Sequence, residues 1–141
     1  GSTQAQVLDI VGAENAIVVE NVSDKGGGNQ INLETAMMAD PDVIIFTEES
    51  IYNDVAVLSG WKEMTAVKNG RYYMVPTMPY NWLGNPPSMN MLIGVWWLGN
   101  LLYPEYYSYS MVDKAREIYS LLWGYDLSVE EAETMLERAK N

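Results

Sequence analysis

The sequence predicts an α/β fold: a mainly parallel sheet flanked by helices, in three layers. Three observations carry that expectation. Short β-branched or aromatic apolar runs recur, each too short for a helix. Segments of helical apolar spacing, with recognisable caps, alternate with them. The runs are apolar throughout, the pattern of strands covered on both faces. A length of 141 residues fits one domain with a single core.

In chain order, Gln6, Val7, Leu8, Ile10 and Val11 read as the end of a helix stopped by Gly12 at C′. Ala16-Ile17-Val18-Val19 reads as the first strand, followed by the polar loop Ser23 to Gln30. Asn32 is an N-cap for a helix from Leu33 to Ala39, ended by Pro41. Val43-Ile44-Ile45-Phe46 is the second strand. A polar loop spans Thr47 to Asn53, helical character runs on to about Leu58, and a short piece covers Trp61 to Met64. After the Asn69-Gly70 turn, Tyr72-Tyr73-Met74-Val75 is the third strand. Ser88 caps an apolar helix that Pro104 terminates. Its lack of a polar face implies neighbours on several sides. Val112, Ala115, Tyr119 and Leu122 share a helix face that ends at Gly124. Ser128 and Glu131 form a capping box for a last helix with the stripe Val129, Ala132, Met135 and Leu136. The assembly is a three-layer, Rossmann-like lobe. Ligands in such sheets sit beyond the carboxyl ends of the strands, so the loops after Val19, Phe46 and Val75 share one rim.

Composition narrows the chemistry. Apolar residues make up 48% of the chain, with five Trp and ten Tyr against one Phe, so it folds and carries rings suited to clefts and interfaces. A net charge of −11 with eight Lys and Arg repels a phosphate backbone, which argues against nucleic acid; it fits solubility or a cationic partner. The absence of Cys and His removes thiol nucleophiles, disulfides, imidazole metal ligands and the usual general base. No Gly-x-Ser-x-Gly or dinucleotide fingerprint is present, so an α/β enzyme is disfavoured. Gly26-Gly27-Gly28 lacks the Lys-Ser/Thr of a phosphate cradle and reads as a loop. Glu48 and Glu49 read as solvated carboxylates rather than metal ligands, and no cofactor is called for. Met89 to Tyr103 has about 15 residues where a membrane span needs ~20, and reads as a buried helix. Gly1-Ser2 reads as an expression-vector remnant, which leaves residues 3–141 as the domain.

The segment from Pro76 to Pro87 holds four prolines around Tyr80, Asn81 and Trp82, too irregular for a regular element and too aromatic for an idle linker. These three residues supply flat apolar area and hydrogen bonds to a bulky ligand, or Trp82 plugs the core beneath the loop. Tyr52 and Asn53 on the preceding loop are further candidates.

Several spaced segments resemble the C-terminal lobe of class III ABC-transporter solute-binding proteins, the iron-siderophore, haem and cobalamin binding family. They are Gly12-Ala13-Glu14-Asn15, Ile31-Asn32-Leu33-Glu34, Asp40-Pro41-Asp42-Val43-Ile44-Ile45, and Trp61 with Ala66-Val67-Lys68-Asn69-Gly70-Arg71. Tyr73-Met74-Val75-Pro76, Pro87-Ser88, Leu92-Ile93-Gly94, Trp97-Leu98, Leu102-Tyr103-Pro104, and Tyr119 before Gly124-Tyr125-Asp126-Leu127 continue the series. The resemblance implies the second lobe of a two-lobed protein, with the N-terminal lobe absent, located outside the cytoplasm as a periplasmic or lipid-anchored protein. It implies binding of a metal chelate without catalysis, a ferric siderophore first and haem or a corrinoid as variants, and delivery to a membrane permease. Without His, this lobe offers haem iron only Tyr or Met. Glu34 matches an acid that docks on permease arginines in that family. Its alternative role is helix-terminus stabilisation, ~0.3–1 kcal/mol. A protein-interaction module is the second reading, since surface that faces a missing lobe would be sticky and favour self-association.

Overall fold

The structure, a computed structural model, describes residues 3–18, 31–47, 49–84 and 86–140. The chain divides into two compact units: one holds residues 15–74, the other 3–14 and 75–141.

The first unit begins with α2, Leu33–Ala39, as α1 belongs to the second. Asn32 caps it, its side chain accepting from the Thr35 amide at 2.8 Å. Asp40 ends it in the left-handed conformation (φ 39°), which a short polar side chain tolerates. The same Asp40 acts 25 residues away. One carboxylate oxygen accepts from the Thr65 amide and the other from the Thr65 hydroxyl, both at 2.7 Å, tying it to the start of α4 (Thr65–Lys68). These bonds hold the Asp40 carboxyl below its ordinary pKa, the Thr65 backbone bond contributing most.

Strands β1 (Ile44–Phe46) and β2 (Tyr72–Met74) pair in parallel, Ile45 opposite Tyr73. Helix α3 (Glu49–Tyr52) and a 3₁₀ turn (Trp61–Glu63) lie between them in sequence. Phe46, Val55, Met64 and Val67 form the core of this unit. The Phe46 ring meets Tyr52 edge-on at 6.0 Å and Trp61 at 5.5 Å, and Tyr52 in turn meets Tyr72 at 5.6 Å. Gly70 turns the chain from α4 into β2 with φ +68°.

The α/β class holds, as a helix-rich chain with a small parallel sheet, while three local expectations change. Among the described residues the sheet has two strands. Residues 16–18 form no strand, and Val18 is 84% exposed, which a strand covered on both faces would not be; Val19 lies outside the described residues. The expected loop at 47–53 contains α3, and residues 53–57 are turns instead of helix: the Asp54 and Val57 amides make i→i−3 bonds, to Ile51 O and Asp54 O, so the i→i−4 bond from Leu58 to Asp54 O stands without a helical ladder around it. The glycine-rich loop 23–30 lies outside the described residues.

The second unit contains α1 (Thr3–Val11), α5 (Asn90–Leu102), α6 (Met111–Trp123) and α7 (Val129–Leu136). Helix α1 ends in a Schellman motif: Gly12 takes φ +73°, its amide bonds to Asp9 O at 3.2 Å, and the Ala13 amide to Leu8 O at 2.9 Å. Helix α5 packs against both α1 and α6, as its all-round apolar sequence requires. Ile93, Trp97, Leu98 and Leu101 are buried along it. Trp97 donates its indole N–H to Ala139 O at 2.6 Å, anchoring the chain beyond α7. Ser110 caps α6 and Gly124 (φ +60°) ends it. Its buried face is Met111, Ala115, Ile118 and Tyr119; Val112 and Leu122 are only half-buried. Ser128 and Glu131 form the full capping box of α7, whose stripe buries Ala132 and Leu136 and leaves Val129 exposed. Ser88 stands one residue outside the expected cap, as Met89 is the N-cap of α5; the Ser88 hydroxyl accepts weakly from the Asn90 amide at 3.4 Å. No helix among the described residues is long and apolar enough to cross a membrane.

Candidate functional site

The loop after β2 runs directly against α5. A β-carbon on Gly94 would lie 1.9 Å from the Trp82 carbonyl oxygen, so this approach of backbone to helix requires glycine. Trp82 is the plug under the loop: it is fully buried, edge-on to Trp97 at 6.3 Å, with its indole N–H donated to Met78 O at 2.8 Å. No surface of its ring is left for a ligand. Tyr80 is 55% exposed beside it. Asn81 is half-buried and spends its side-chain oxygen on the Leu83 amide at 2.8 Å, fixing the turn.

Of the candidates in the first unit, Tyr52 is half-buried in the aromatic cluster with Phe46 and Tyr72, and Asn53 is exposed at the end of α3. Glu34 is exposed in the first turn of α2. Glu49 is exposed at the start of α3; Glu48 lies outside the described residues.

The second unit contains a groove of about 750 Å³ that the sequence did not single out. Met78 and Pro79, the end of α6 with Tyr125 and Leu127, and α7 through Glu130, Glu131, Thr134 and Met135 line it. Tyr119 and Trp123, four residues apart on α6, bring their rings to 4.8 Å with a 58° tilt. Tyr125 follows the left-handed Gly124 and sets its ring 6.5 Å from Tyr119, inclined by 64°. Met78 O accepts both the Trp82 indole N–H and the Tyr119 hydroxyl, so one carbonyl ties the groove to the loop above it. Burial pushes the Tyr119 phenol up to about 12, against a smaller opposing effect of the Trp82 side chain. Glu131 is held below its ordinary pKa by the Ser128 amide first, then by the Tyr125 hydroxyl at 2.7 Å and the Ser128 hydroxyl. The groove wall therefore carries a neutral phenol and a fixed carboxylate at neutral pH. The signal for it was present in the sequence: Tyr119, Trp123 and Tyr125 surround a helix-stopping glycine. Read for periodicity alone, Tyr119 counts only as core.

With this α/β architecture the chain is similar to solute-binding proteins. One is an ABC transporter solute-binding protein from Sulfurospirillum deleyianum DSM 6946, 30% identical with a TM-score of 0.85 over 95% of this chain. Another is a periplasmic solute-binding protein from Veillonella parvula DSM 2008, 26% identical with a TM-score of 0.75 over 98% of this chain. The chain spans 41% and 43% of their respective lengths. No protein-family model and no curated protein matches the sequence.

Proposed function

We propose that this chain is the C-terminal lobe of a two-lobed solute-binding protein that serves an ABC importer outside the cytoplasm. The observation that carries the reading is the structural match over 95% of this chain and only 41% of its neighbour, at 30% identity. A domain of this kind binds and releases its cargo unchanged, in keeping with a chain that has no His or Cys.

The cargo is a metal chelate, a ferric siderophore first, with haem and corrinoids as variants. The series of spaced segments from Gly12 to Leu127 supports it. Tyr80 offers an exposed ring and Asn81 its side-chain N–H groups, while Trp82 acts from below by fixing the loop. Tyr52 and Asn53 are a second set of contacts. Glu34, exposed in the first turn of α2, docks on an arginine of the permease by a charge-assisted hydrogen bond.

Tryptophan fluorescence of the two-lobed protein, titrated with ferric siderophores, haem and cobalamin, tests the reading. A saturable change with one of these ligands is expected. No response to any of them would overturn it.

A further inference from the structure

We propose that the groove between Met78–Pro79, the end of α6 and α7 is a binding site for an organic cation, an alkylated ammonium group carried on an apolar body. The inference goes beyond chelate binding and involves no metal.

Ring geometry is the first ground. Half-buried Trp123 and exposed Tyr125 line the groove together with the buried Tyr119, whose ring is inclined to theirs by 58° and 64°. Aromatic faces are the negative end of the ring quadrupole, and several inclined rings around one space are the arrangement that attracts a cation too large to be strongly hydrated.

Charge is the second ground. Glu130 and Glu131 line the groove, and no Lys or Arg is among its lining residues. Glu131 accepts from the Ser128 amide at 2.8 Å and from Tyr125 at 2.7 Å, which leaves lone pairs on both oxygens, since a carboxylate has about four acceptor sites. A neutral apolar guest would desolvate these carboxylates without compensation, and an anion would be repelled. A small inorganic cation requires a shell of about six oxygens, more than the side chains of Glu130, Glu131 and Thr134 supply among rings and thioethers. Of the remaining lining, Met78, Pro79, Leu127 and Met135 are apolar and suit the body of the guest, and Thr134 is the one further polar residue. The groove's volume of about 750 Å³ is in the range of ~300–1,000 Å³ typical of small-molecule sites.

Proton NMR of benzyltrimethylammonium with the 141-residue chain tests the proposal, beside the neutral isostere in which carbon replaces the nitrogen. The N-methyl resonance is expected to move upfield and saturate, with the isostere binding about tenfold more weakly. Glu130→Gln, at an exposed position, should weaken the cation about threefold or more without affecting the isostere. Trp123→Ala, with folding checked by circular dichroism, should remove the shift. Equal binding of the isostere, binding unchanged in Trp123→Ala, or no shift at all would overturn the proposal. Chelate binding is read separately on the two-lobed protein, so either result can fail without the other.

Discussion

Gly94 and Trp82 show how one contact fixes the loop that follows β2. Replacing Gly94 with Ala puts a methyl 1.9 Å from the Trp82 carbonyl oxygen, a backbone atom that cannot swing aside. A loss of about 1–3 kcal/mol or more in urea denaturation is expected, as for other overpacked sites. Trp82→Ala empties a fully buried position and should cost about 3–5 kcal/mol. A surface ligand wall would instead lose ligand affinity with little change in stability, so the two measurements together separate the roles. Residues whose partners are near in sequence were legible: Asn32 and Ser128 cap within three residues, and Gly12 and Gly124 stop helices at their own positions. Asp40 was not, because its second partner, Thr65, lies 25 residues away. Trp82 was legible as a choice between wall and plug. Its burial depends on Gly94 and Trp97, which no local pattern links to it.

At the scale of elements, the capping box of α7 has a consequence for pH. Glu131 has a folded pKa below its ordinary value, so its contribution to stability is present above the ordinary carboxylate pKa and is lost as pH falls through the lowered one. Asp40 has the same sign. Urea midpoints followed downward from neutral pH should therefore fall in the acid range, and Glu131→Gln should flatten that fall. An unchanged acid limb would show that the Ser128 and Tyr125 bonds do not favour the ionised form. Helices α1, α2, α6 and α7 were legible from their apolar residues and their caps or stops, and α5 from its continuous apolar run, although its cap is Met89 and not the expected Ser88. The short α3 and α4 were not: four residues carry too little periodicity to distinguish a helix from a turn. The run at 16–18 shows the converse, since apolar, β-branched composition signals a strand only where a neighbour covers it. The groove escaped for a related reason: its walls come from the loop after β2, α6 and α7, and join only on folding.

For the whole molecule, the proposed division of labour places cargo contacts at Tyr80 and Asn81 and docking at Glu34. Glu34→Arg should abolish uptake by the importer while leaving the affinity for cargo within about twofold, because an exposed first-turn acid adds only ~0.3–1 kcal/mol to its own helix. Loss of cargo affinity in that variant would place Glu34 in the binding site instead. The α/β class was legible across the chain from the alternation of strand and helix, whereas the cargo of the proposed two-lobed protein would depend on surfaces from both lobes and leave no compact motif in one of them. The most direct test of a solute-binding lobe is calorimetric titration of one metal chelate into the two-lobed protein and, separately, into this 141-residue chain. The expected result is saturable binding to the two-lobed protein, with affinity at least about 100-fold weaker for the chain alone, equivalent to ~2.7 kcal/mol. Absence of binding to the two-lobed protein, or conversion of the chelate during the titration, would contradict it.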